Sequence, residues 1–409
     1  MHSGKAQSHT ILLFGILPER QLEQIRNLSV GVLQSAADAL QKSVISGLKQ
    51  NGFDFEVINL PFIGGWPQFY KSLYAPKAFT DEADGIRFEN HTFINVRGYK
   101  MWSRYRRAYK ALRQRVKATG NQPVNILVYS ITTPFIKAAL RIKRDFQNVR
   151  VIVLAPDLPE YMGGSSKGIA GFMRDYNSSI LRKYYDEIDA FVVLTEQMSE
   201  RLIFRQQPYT VMEGIFNPSD EAPETAKTGQ EKRILLYSGT LAERYGIVDL
   251  VDAAHSLKKE DFILEIYGAG GAEEYVKKLA EQDSRIKYCG QVPRSEILKR
   301  QREAYLLINP RSATEEFTKY SFPSKTMEYL ASGTPTLMHR LPGMPKDYIG
   351  YFYEIQGEGK DGIQQSLDTL LNMEYDEFRN IGDRARSFIL NYKNPKVQTK
   401  KIINLINSL

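Results

Sequence analysis

The segment 322–335 carries the strongest chemical signal in this 409-residue chain. It reads Phe-Pro-Ser-Lys-Thr-Met-Glu-Tyr-Leu-Ala-Ser-Gly-Thr-Pro. Pro323 is a residue type that starts helices, and Ser324 is a type that caps them. The pattern therefore predicts a helix that begins at this point and ends at Gly333.

The beginning of such a helix suits a phosphate group, because its open backbone N–H groups and partial positive charge attract anions. Lys325 adds a full charge at the same end. Glu328 lies one turn further on, where a carboxylate can accept hydrogen bonds from both hydroxyl groups of a ribose. The pattern indicates a nucleotide site, and an ordinary capped helix with a Lys–Glu pair is the alternative.

The sequence contains no pattern typical of a metal site. No two aspartates are separated by a single residue, the motif through which metal-dependent transferases hold a diphosphate. His91, His255 and His339 are isolated in the chain, so neither a zinc site nor a catalytic triad is predicted. The single cysteine, Cys289, suits a reducing compartment.

The first half of the chain alternates short apolar runs with helical spacing, which predicts a parallel, doubly wound α/β sheet. The predicted strands are 11–15, 55–60, 124–129, 149–154 and 190–194, with a helix at 36–51. Asp157 follows one of these strands, at the carboxyl end where such sheets bind ligands. A contact with a ligand and a plain loop aspartate are both open for it.

Residues 217–232 are polar and contain two prolines, which is typical of a linker. The alternation then restarts. Strands are predicted at 233–238, 262–267, 286–289, 306–308 and 336–338, and helices at 247–258, 272–282, 294–302 and 324–332. The predicted domains are therefore 1–216 and 233–384. A last helical segment, about 385–409 and broken at Pro395, is expected to pack back on the first domain.

Several segments, in the order of the family, resemble glycosyltransferase family 4, whose members are retaining enzymes of GT-B fold. They are 155–161, 193–196, 237–246, 266–270, 286–293 and the segment 322–335. The resemblance implies two Rossmann-like domains that face each other across a cleft. It also implies a UDP- or GDP-sugar as donor substrate, no cofactor, and no requirement for a metal ion.

The resemblance assigns the site residues as well. The expected catalytic residues are Arg244 and Lys325, which would stabilise the leaving diphosphate, and Asp157, which would lie near the sugar or the acceptor. The expected donor contacts are Gly239, Thr240, Gly268, Gln291, Val292, Phe322, Pro323, Ser324 and Glu328. In the family, Gly268 lets the donor approach the backbone closely.

Two departures from the family pattern concern charged groups. The family has a first glutamate eight residues before the position of Glu328, and this chain has Tyr320 there. Glu315 or Glu316 could take its place from a shifted loop. The family's arginine and lysine in the first loop are replaced by Thr240 and Tyr245. Arg244 and Lys325 are then the cations expected to bind the diphosphate.

The function implied is transfer of a sugar, with retention, from a nucleotide-sugar to a lipid-linked or other saccharide acceptor in the biosynthesis of a surface polysaccharide. Two alternatives stay open. One is a GT-B nucleotide-sugar 2-epimerase, and the other is a non-enzymatic protein that binds nucleotides or nucleic acid. For the transferase we expect no nucleic-acid partner.

The net charge of +8 comes from the first half of the chain. Residues 1–210 hold 28 basic and 18 acidic residues, and the remainder holds 27 and 29. Residues 97–117 contain nine basic side chains and no acidic one. Such a segment is typical of contact with an anionic partner.

Within this basic segment, helical spacing predicts one apolar stripe, formed by Trp102, Tyr105, Tyr109, Leu112 and Val116. The basic residues predicted to face an anionic membrane or the acceptor are Arg104, Arg106, Arg107 and Lys110. Packing of the stripe on the sheet, with the charges merely solvated, is the alternative. We expect a cytoplasmic protein that attaches peripherally to the inner face of the cell membrane.

Overall fold

The computed structural model describes residues 8–31, 33, 35–160, 179–203, 205–218 and 233–409. The chain divides into two compact units. Unit 1 comprises Met1–Ile215 and Pro395–Leu409, and unit 2 comprises Phe216–Asn394. Most of the predicted linker, residues 219–232, lies outside the described residues.

Unit 1 is built on an eight-stranded sheet. Its strands are β1 (His9–Phe14), β2 (Glu56–Asn59), β3 (Phe79–Ala83), β4 (Ile86–Asn90), β5 (Val124–Tyr129), β6 (Val149–Ala155), β7 (Ala190–Val193) and β8 (Tyr209–Val211). Its helices include α1 (Leu22–Leu28), α2 (Ser35–Gln50), α3 (Lys100–Ala118), α4 (Thr133–Asp145) and α5 (Ser199–Leu202).

The strand order of this sheet is β3-β4-β2-β1-β5-β6-β7-β8. All neighbours are parallel except β3 and β4. The predicted parallel sheet therefore has one antiparallel strand, β3, at its edge. Asp84 and Gly85 both have positive φ, the conformation of a tight hairpin turn, and this turn sends the chain back antiparallel. The edge strand β3 is mostly exposed, as its polar sequence requires.

Both faces of this sheet are covered by helices. Leu12 and Phe14 of β1 belong to one buried cluster with Val44 of α2 and Ile402 near the C-terminus. Alternate residues of a strand point to opposite faces. Helices α3 and α4, which pack on each other and on β2, β5 and β6, cover the opposite face.

Unit 2 is built on a six-stranded sheet in the order β11-β10-β9-β12-β13-β14, with all strands parallel. Its strands are β9 (Arg233–Ser238), β10 (Phe262–Tyr267), β11 (Ile286–Gly290), β12 (Leu306–Asn309), β13 (Thr336–Met338) and β14 (Tyr353–Glu354). Its helices are α6 (Ile247–Ser256), α7 (Glu273–Gln282), α8 (Arg294–Glu303), α9 (Ser324–Ala331), α10 (Gly359–Leu370) and α11 (Tyr375–Tyr392).

The sheet of unit 2 is also buried on both sides. Leu235 of β9 packs with Leu250 of α6 on one face. Leu236, the next residue, packs with Tyr329 of α9 on the other face. The buried side of α9 packs on the sheet. The first residues of α9 therefore lie near the carboxyl ends of β9 and β12.

The chain returns to unit 1 at Pro395, later than the predicted position of about 385. Helix α11 runs to Tyr392 and packs in unit 2 through Phe388 and Ile389. The last helix, α12 (Pro395–Ser408), then lies against α2. There the amide of Asn51 donates to the carbonyl of Lys396 at 2.8 Å.

Candidate active site

The first turn of α9 differs from the prediction in its cap. Pro323 occupies the capping position with φ −66° and ψ 125°, and Ser324 is already the first helical residue. The ring of proline fixes φ near the helical value and directs the chain into the helix, so Ser324 lies inside the turn. The prediction that Ser324 caps the helix is therefore wrong. Since proline has no side-chain acceptor, it leaves the N–H groups of the first turn of α9 without a side-chain cap.

Lys325 places its ammonium beside the first loop of the sheet. A Cβ atom added to Gly239 would lie 1.9 Å from its Nζ atom. The Nζ atom is 5.4 Å from the centre of the Tyr237 ring. Burial lowers the pKa of Lys325 to about 8, and the charge of Glu328 opposes this shift. Among the described residues, no carboxylate lies within ion-pair distance of this ammonium, so an incoming anion could neutralise it.

Glu328 lies one turn further along α9 and is half-buried. Its Oε1 atom accepts a hydrogen bond from Arg294 at 3.1 Å. Arg294 is the first residue of α8 and follows the loop that contains Gln291 and Val292. This contact brings the loop after β11 next to α9. Gln291 is exposed, and Val292 packs against the apolar cluster under the loop.

The two glycines of the strand–loop motifs contact each other directly. The N–H of Gly239 donates to the carbonyl of Tyr267 at 2.8 Å. Gly268 has a φ of +138°, and a Cβ there would lie 1.8 Å from the carbonyl oxygen of Gly239. The predicted reason for Gly268 was close approach of a donor. The structure gives an additional reason: the carbonyl of Gly239 in the neighbouring loop lies in the space that a side chain would need.

A second cation, Arg244, lies at this edge of the sheet. Arg244 lies in a short 3-10 helix, Glu243–Tyr245, after β9 and is exposed. Its guanidinium donates to the hydroxyl of Tyr245 at 3.0 Å and lies 4.9 Å from the centre of that ring.

A third cation, Arg311, was not predicted. Its guanidinium lies 4.5 Å from the ring centre of Phe317 and 5.4 Å from that of Tyr245, and it donates to Ser321 at 2.8 Å. Its charge also acts on Tyr237, against whose ring Lys325 lies. The available signal was its place just after β12, at the carboxyl end of the sheet. Three cations therefore surround this edge of unit 2.

The other residues that were predicted to contact the donor are either exposed or part of the core. Thr240 and Ser324 are exposed. Phe322 is buried and packs on Tyr348, so its side chain belongs to the core. Tyr320, at the position of the missing glutamate, is also buried.

Glu315 and Glu316 are exposed at the start of the short helix Glu316–Tyr320, Glu315 as its cap and Glu316 as its first residue. Neither carboxylate lies at the position of Tyr320, the last residue of that helix, where the family has its first glutamate.

Asp157 belongs to unit 1, whereas Arg244 and Lys325 belong to unit 2. It is exposed just beyond the end of β6. Burial raises the pKa of Tyr129, and the nearby charge of Asp157 adds to this shift. Asp157 and Tyr129 are therefore close together at the carboxyl ends of two adjacent strands.

The structure corrects the prediction for the basic helix α3. Arg104, predicted to face a membrane or the acceptor, is only 5% exposed. It donates to the carbonyl of Leu60 at 3.1 Å, and its guanidinium lies 4.7 Å from the ring centre of Phe135 and 4.8 Å from that of Phe62. Burial lowers its pKa to about 9. Arg106, Arg107 and Lys110 are exposed.

The apolar stripe of α3 is also shifted from the prediction. The buried residues are Ser103, Arg104, Ala108, Ala111, Leu112 and Val116. Trp102 is 45% exposed, and Tyr105 and Tyr109 are half-buried. The small alanines allow the helix to approach α4 closely, so this face is buried and the aromatic residues lie at its margin.

Among the described residues, no group of three or more His, Cys, Asp or Glu side chains could hold a metal ion. Within the same part of the chain, no helix is both long and apolar enough to span a membrane.

Comparison with known proteins identifies the class of unit 2. Residues 219–388 match the family model of Glycosyl transferases group 1. A stretch of 51 residues is 39% identical to the putative colanic acid biosynthesis glycosyl transferase WcaI of Escherichia coli strain K12. That stretch covers 12% of this chain and 12% of the relative.

Solved structures of similar fold match over nearly the whole chain. Sucrose-phosphate synthase from Thermosynechococcus elongatus has a TM-score of 0.68 at 14% identity, with 98% of each chain covered. HepE of Anabaena, in complex with UDP, has a TM-score of 0.62 at 12% identity, with 98% of this chain and 100% of that chain covered. These matches confirm the predicted α/β fold of GT-B type with two parallel-sheet domains. Residues 219–388 are therefore a glycosyl transferases group 1 domain, in a chain that has the GT-B fold.

Proposed function

We propose that the protein is a glycosyltransferase that takes its sugar from a UDP- or GDP-sugar and transfers it with retention. The observation that carries the proposal is the ammonium of Lys325, which has no carboxylate partner among the described residues and lies at the uncapped first turn of α9. A bound diphosphate would supply the negative charge that pairs with this ammonium. The carboxylate of Glu328, one turn away, then accepts hydrogen bonds from the hydroxyl groups of the ribose.

The chemistry follows from the charge that develops on the leaving group. When the bond between sugar and phosphate stretches, the diphosphate becomes more negative, and preorganised cations stabilise it. Lys325, Arg244 and Arg311 supply such cations without a metal ion. We assign to Asp157 a role at the sugar or the acceptor, supported by its exposed position at the end of β6.

For the acceptor we propose a lipid-linked saccharide used in surface polysaccharide biosynthesis, met at the inner face of the cell membrane. The similarity to a protein named for colanic acid biosynthesis supports the polysaccharide. The exposed basic residues of α3 support attachment to an anionic membrane surface.

The donor site is tested by thermal shift with UDP, GDP, ADP and CMP, followed by titration of the nucleotide that stabilises the protein. Charge-assisted hydrogen bonds contribute about 1.5–3 kcal/mol, so Lys325→Gln and Glu328→Gln should each weaken binding by roughly ten- to a hundredfold. Lys299→Gln is the matched control, because Lys299 is exposed on α8 and, among the described residues, pairs only with Glu303 on the same helix.

Equal nucleotide affinity in all four proteins would contradict this site. Conversion of the donor to an epimer without any acceptor would show that the protein is an epimerase instead of a transferase.

A further inference from the structure

Large exposed apolar side chains are unevenly distributed over the described residues. Seven of the twelve lie between positions 30 and 102 of unit 1. They are Val30, Phe69, Leu73, Tyr74, Tyr99, Met101 and Trp102, each between 42% and 59% exposed. Single exposed apolar residues are normal, but a group of this size marks a surface that binds a partner.

Backbone hydrogen bonds connect the segments that carry these side chains. The N–H of Val30 donates to Phe69 at 3.1 Å, and that of Asn95 donates to Leu73 at 2.7 Å. The N–H of Tyr99 donates to Val96 at 3.0 Å, and the Tyr99 and Trp102 rings are 4.8 Å apart. The seven residues therefore belong to one surface, which we call the apolar edge.

The apolar edge has only one sign of charge. The three segments that form it, 24–31, 57–80 and 90–110, contain no aspartate or glutamate, although the chain has 47 of them. Their exposed basic residues are Arg26, Lys71, Lys77, Arg97, Arg106, Arg107 and Lys110. The guanidinium of Arg106 lies 4.8 Å from the Trp102 ring. Basic side chains therefore accompany the apolar ones throughout.

We propose that the apolar edge inserts into the headgroup region of a bilayer that contains anionic lipid. Tryptophan and tyrosine combine an apolar ring with a polar group, which suits this boundary, and the basic side chains bind lipid phosphates. An acidic protein would match the charge but would not require so many exposed rings. The inference rests on the proposed function, because a lipid-linked acceptor is met at such a surface.

The apolar edge lies at the end of the sheet where α/β folds bind ligands. Strands β1, β2 and β4 are parallel, and the segments of the apolar edge follow their carboxyl ends. α/β sheets bind ligands at this end. A bilayer in contact with the apolar edge would therefore present a lipid-linked headgroup to the same end of unit 1 that holds Asp157.

Co-sedimentation with vesicles tests the proposal, using phosphatidylcholine alone and phosphatidylcholine mixed with phosphatidylglycerol. Binding should require the anionic lipid and decrease with salt. Phe69→Ser with Trp102→Ser should reduce binding at least about tenfold, and so should Arg106→Gln, Arg107→Gln and Lys110→Gln together.

The matched control is Tyr375→Ser with Tyr392→Ser, which removes two aromatic rings of similar exposure, 51% and 60%, from unit 2. This variant should bind vesicles like the unchanged protein. The chain has two tryptophans, so Trp66→Phe leaves Trp102 as the only one. Its fluorescence should shift to the blue on anionic vesicles alone.

Three results would overturn the proposal. They are equal binding to both kinds of vesicle, no binding to either, and unchanged binding of the Phe69 and Trp102 variant. A dimer that this variant dissociates, without vesicle binding, would mean that a second copy covers the apolar edge. The nucleotide titration separates this outcome from the proposed function, because a protein that fails on vesicles but binds a nucleotide is still a transferase candidate.

Discussion

At the scale of single residues, the position of one charge distinguishes the candidate site. In the part of the chain that the structure describes, most cations are exposed or pair with carboxylates, as Arg115 does with Glu56. Lys325 is held instead against a glycine and a tyrosine ring, where burial lowers its pKa to about 8. A group with such a pKa changes its charge within the range in which enzymes are assayed.

Nucleotide binding should therefore depend on pH. Below pH 8 the ammonium is charged and attracts a diphosphate, and above pH 8 the unliganded protein loses that proton. The dissociation constant should increase by about tenfold for each pH unit above 8, up to the higher pKa that the bound anion imposes. Calorimetric titration with the nucleotide between pH 7 and pH 9.5 measures this change in the dissociation constant.

The control for the pH dependence is Lys325→Arg, because a guanidinium stays charged throughout this range. Its nucleotide affinity should not change with pH. If the variant and the unchanged protein lose affinity in parallel, another group is responsible for the pH dependence.

At the scale of elements, the loops after β9 and β10 hold each other in place. Leu241 donates to Ala269 at 3.0 Å, and Gly239 donates to Tyr267 at 2.8 Å. This contact leaves no room for a side chain at Gly268 and fixes the backbone beside Lys325. The geometry of the site therefore depends on the packing of two loops as much as on its charged residues.

Substitution of these glycines should affect stability unequally. Gly268→Ala places a Cβ 1.8 Å from a carbonyl oxygen at a φ of +138°. Strain of this kind costs about 1–3 kcal/mol before the clash is counted, so the free energy of unfolding should fall by at least about 2 kcal/mol.

The matched variant is Gly271→Ala, three residues away, where nothing lies within 4 Å of an added Cβ. Urea denaturation should show it within about 0.5 kcal/mol of the unchanged protein. Similar stability of both variants would mean that the two loops are not in this close contact.

At the scale of the whole molecule, the excess of basic residues belongs to positions 1–210, and the nucleotide-site cations belong to unit 2. The two proposals above assign different tasks to these two sets of charges. The first set accompanies the apolar edge. The second set, Lys325, Arg244 and Arg311, surrounds the place where a diphosphate would lose its sugar.

Because this second set can neutralise a diphosphate, sugar transfer should survive EDTA. The assay is release of nucleotide diphosphate with and without the chelator, after dialysis against it. A rate within about twofold of the untreated enzyme is expected, since metal-dependent transferases lose far more when the ion is removed. Activity that returns only with Mn²⁺ or Mg²⁺ would contradict charge neutralisation by side chains.

Local signals predicted most of the elements. Strands β5, β9, β10 and β13 have the predicted bounds, because short runs rich in apolar residues, such as 234–237 in β9, identify a strand buried on both faces. The hairpin of β3 and β4 was missed, since its polar strand lies at an exposed edge and its pattern is weak. The start of α9 could be predicted because proline and the first helical turn are local features, although the cap was shifted by one residue.

The sequence by itself determined the α/β alternation, the resemblance to a glycosyltransferase family, and the presence of Lys325 and Glu328 one turn apart. The tertiary structure decided which charges are exposed. Arg104 and Arg106 are two residues apart on one helix, yet the first lies among phenylalanine rings and the second is in solvent. The tertiary structure also decided the surroundings of Arg311, because the two rings beside it, Tyr245 and Phe317, come from separate loops. Helical spacing defines a face, but only the packing of other elements determines whether that face is covered.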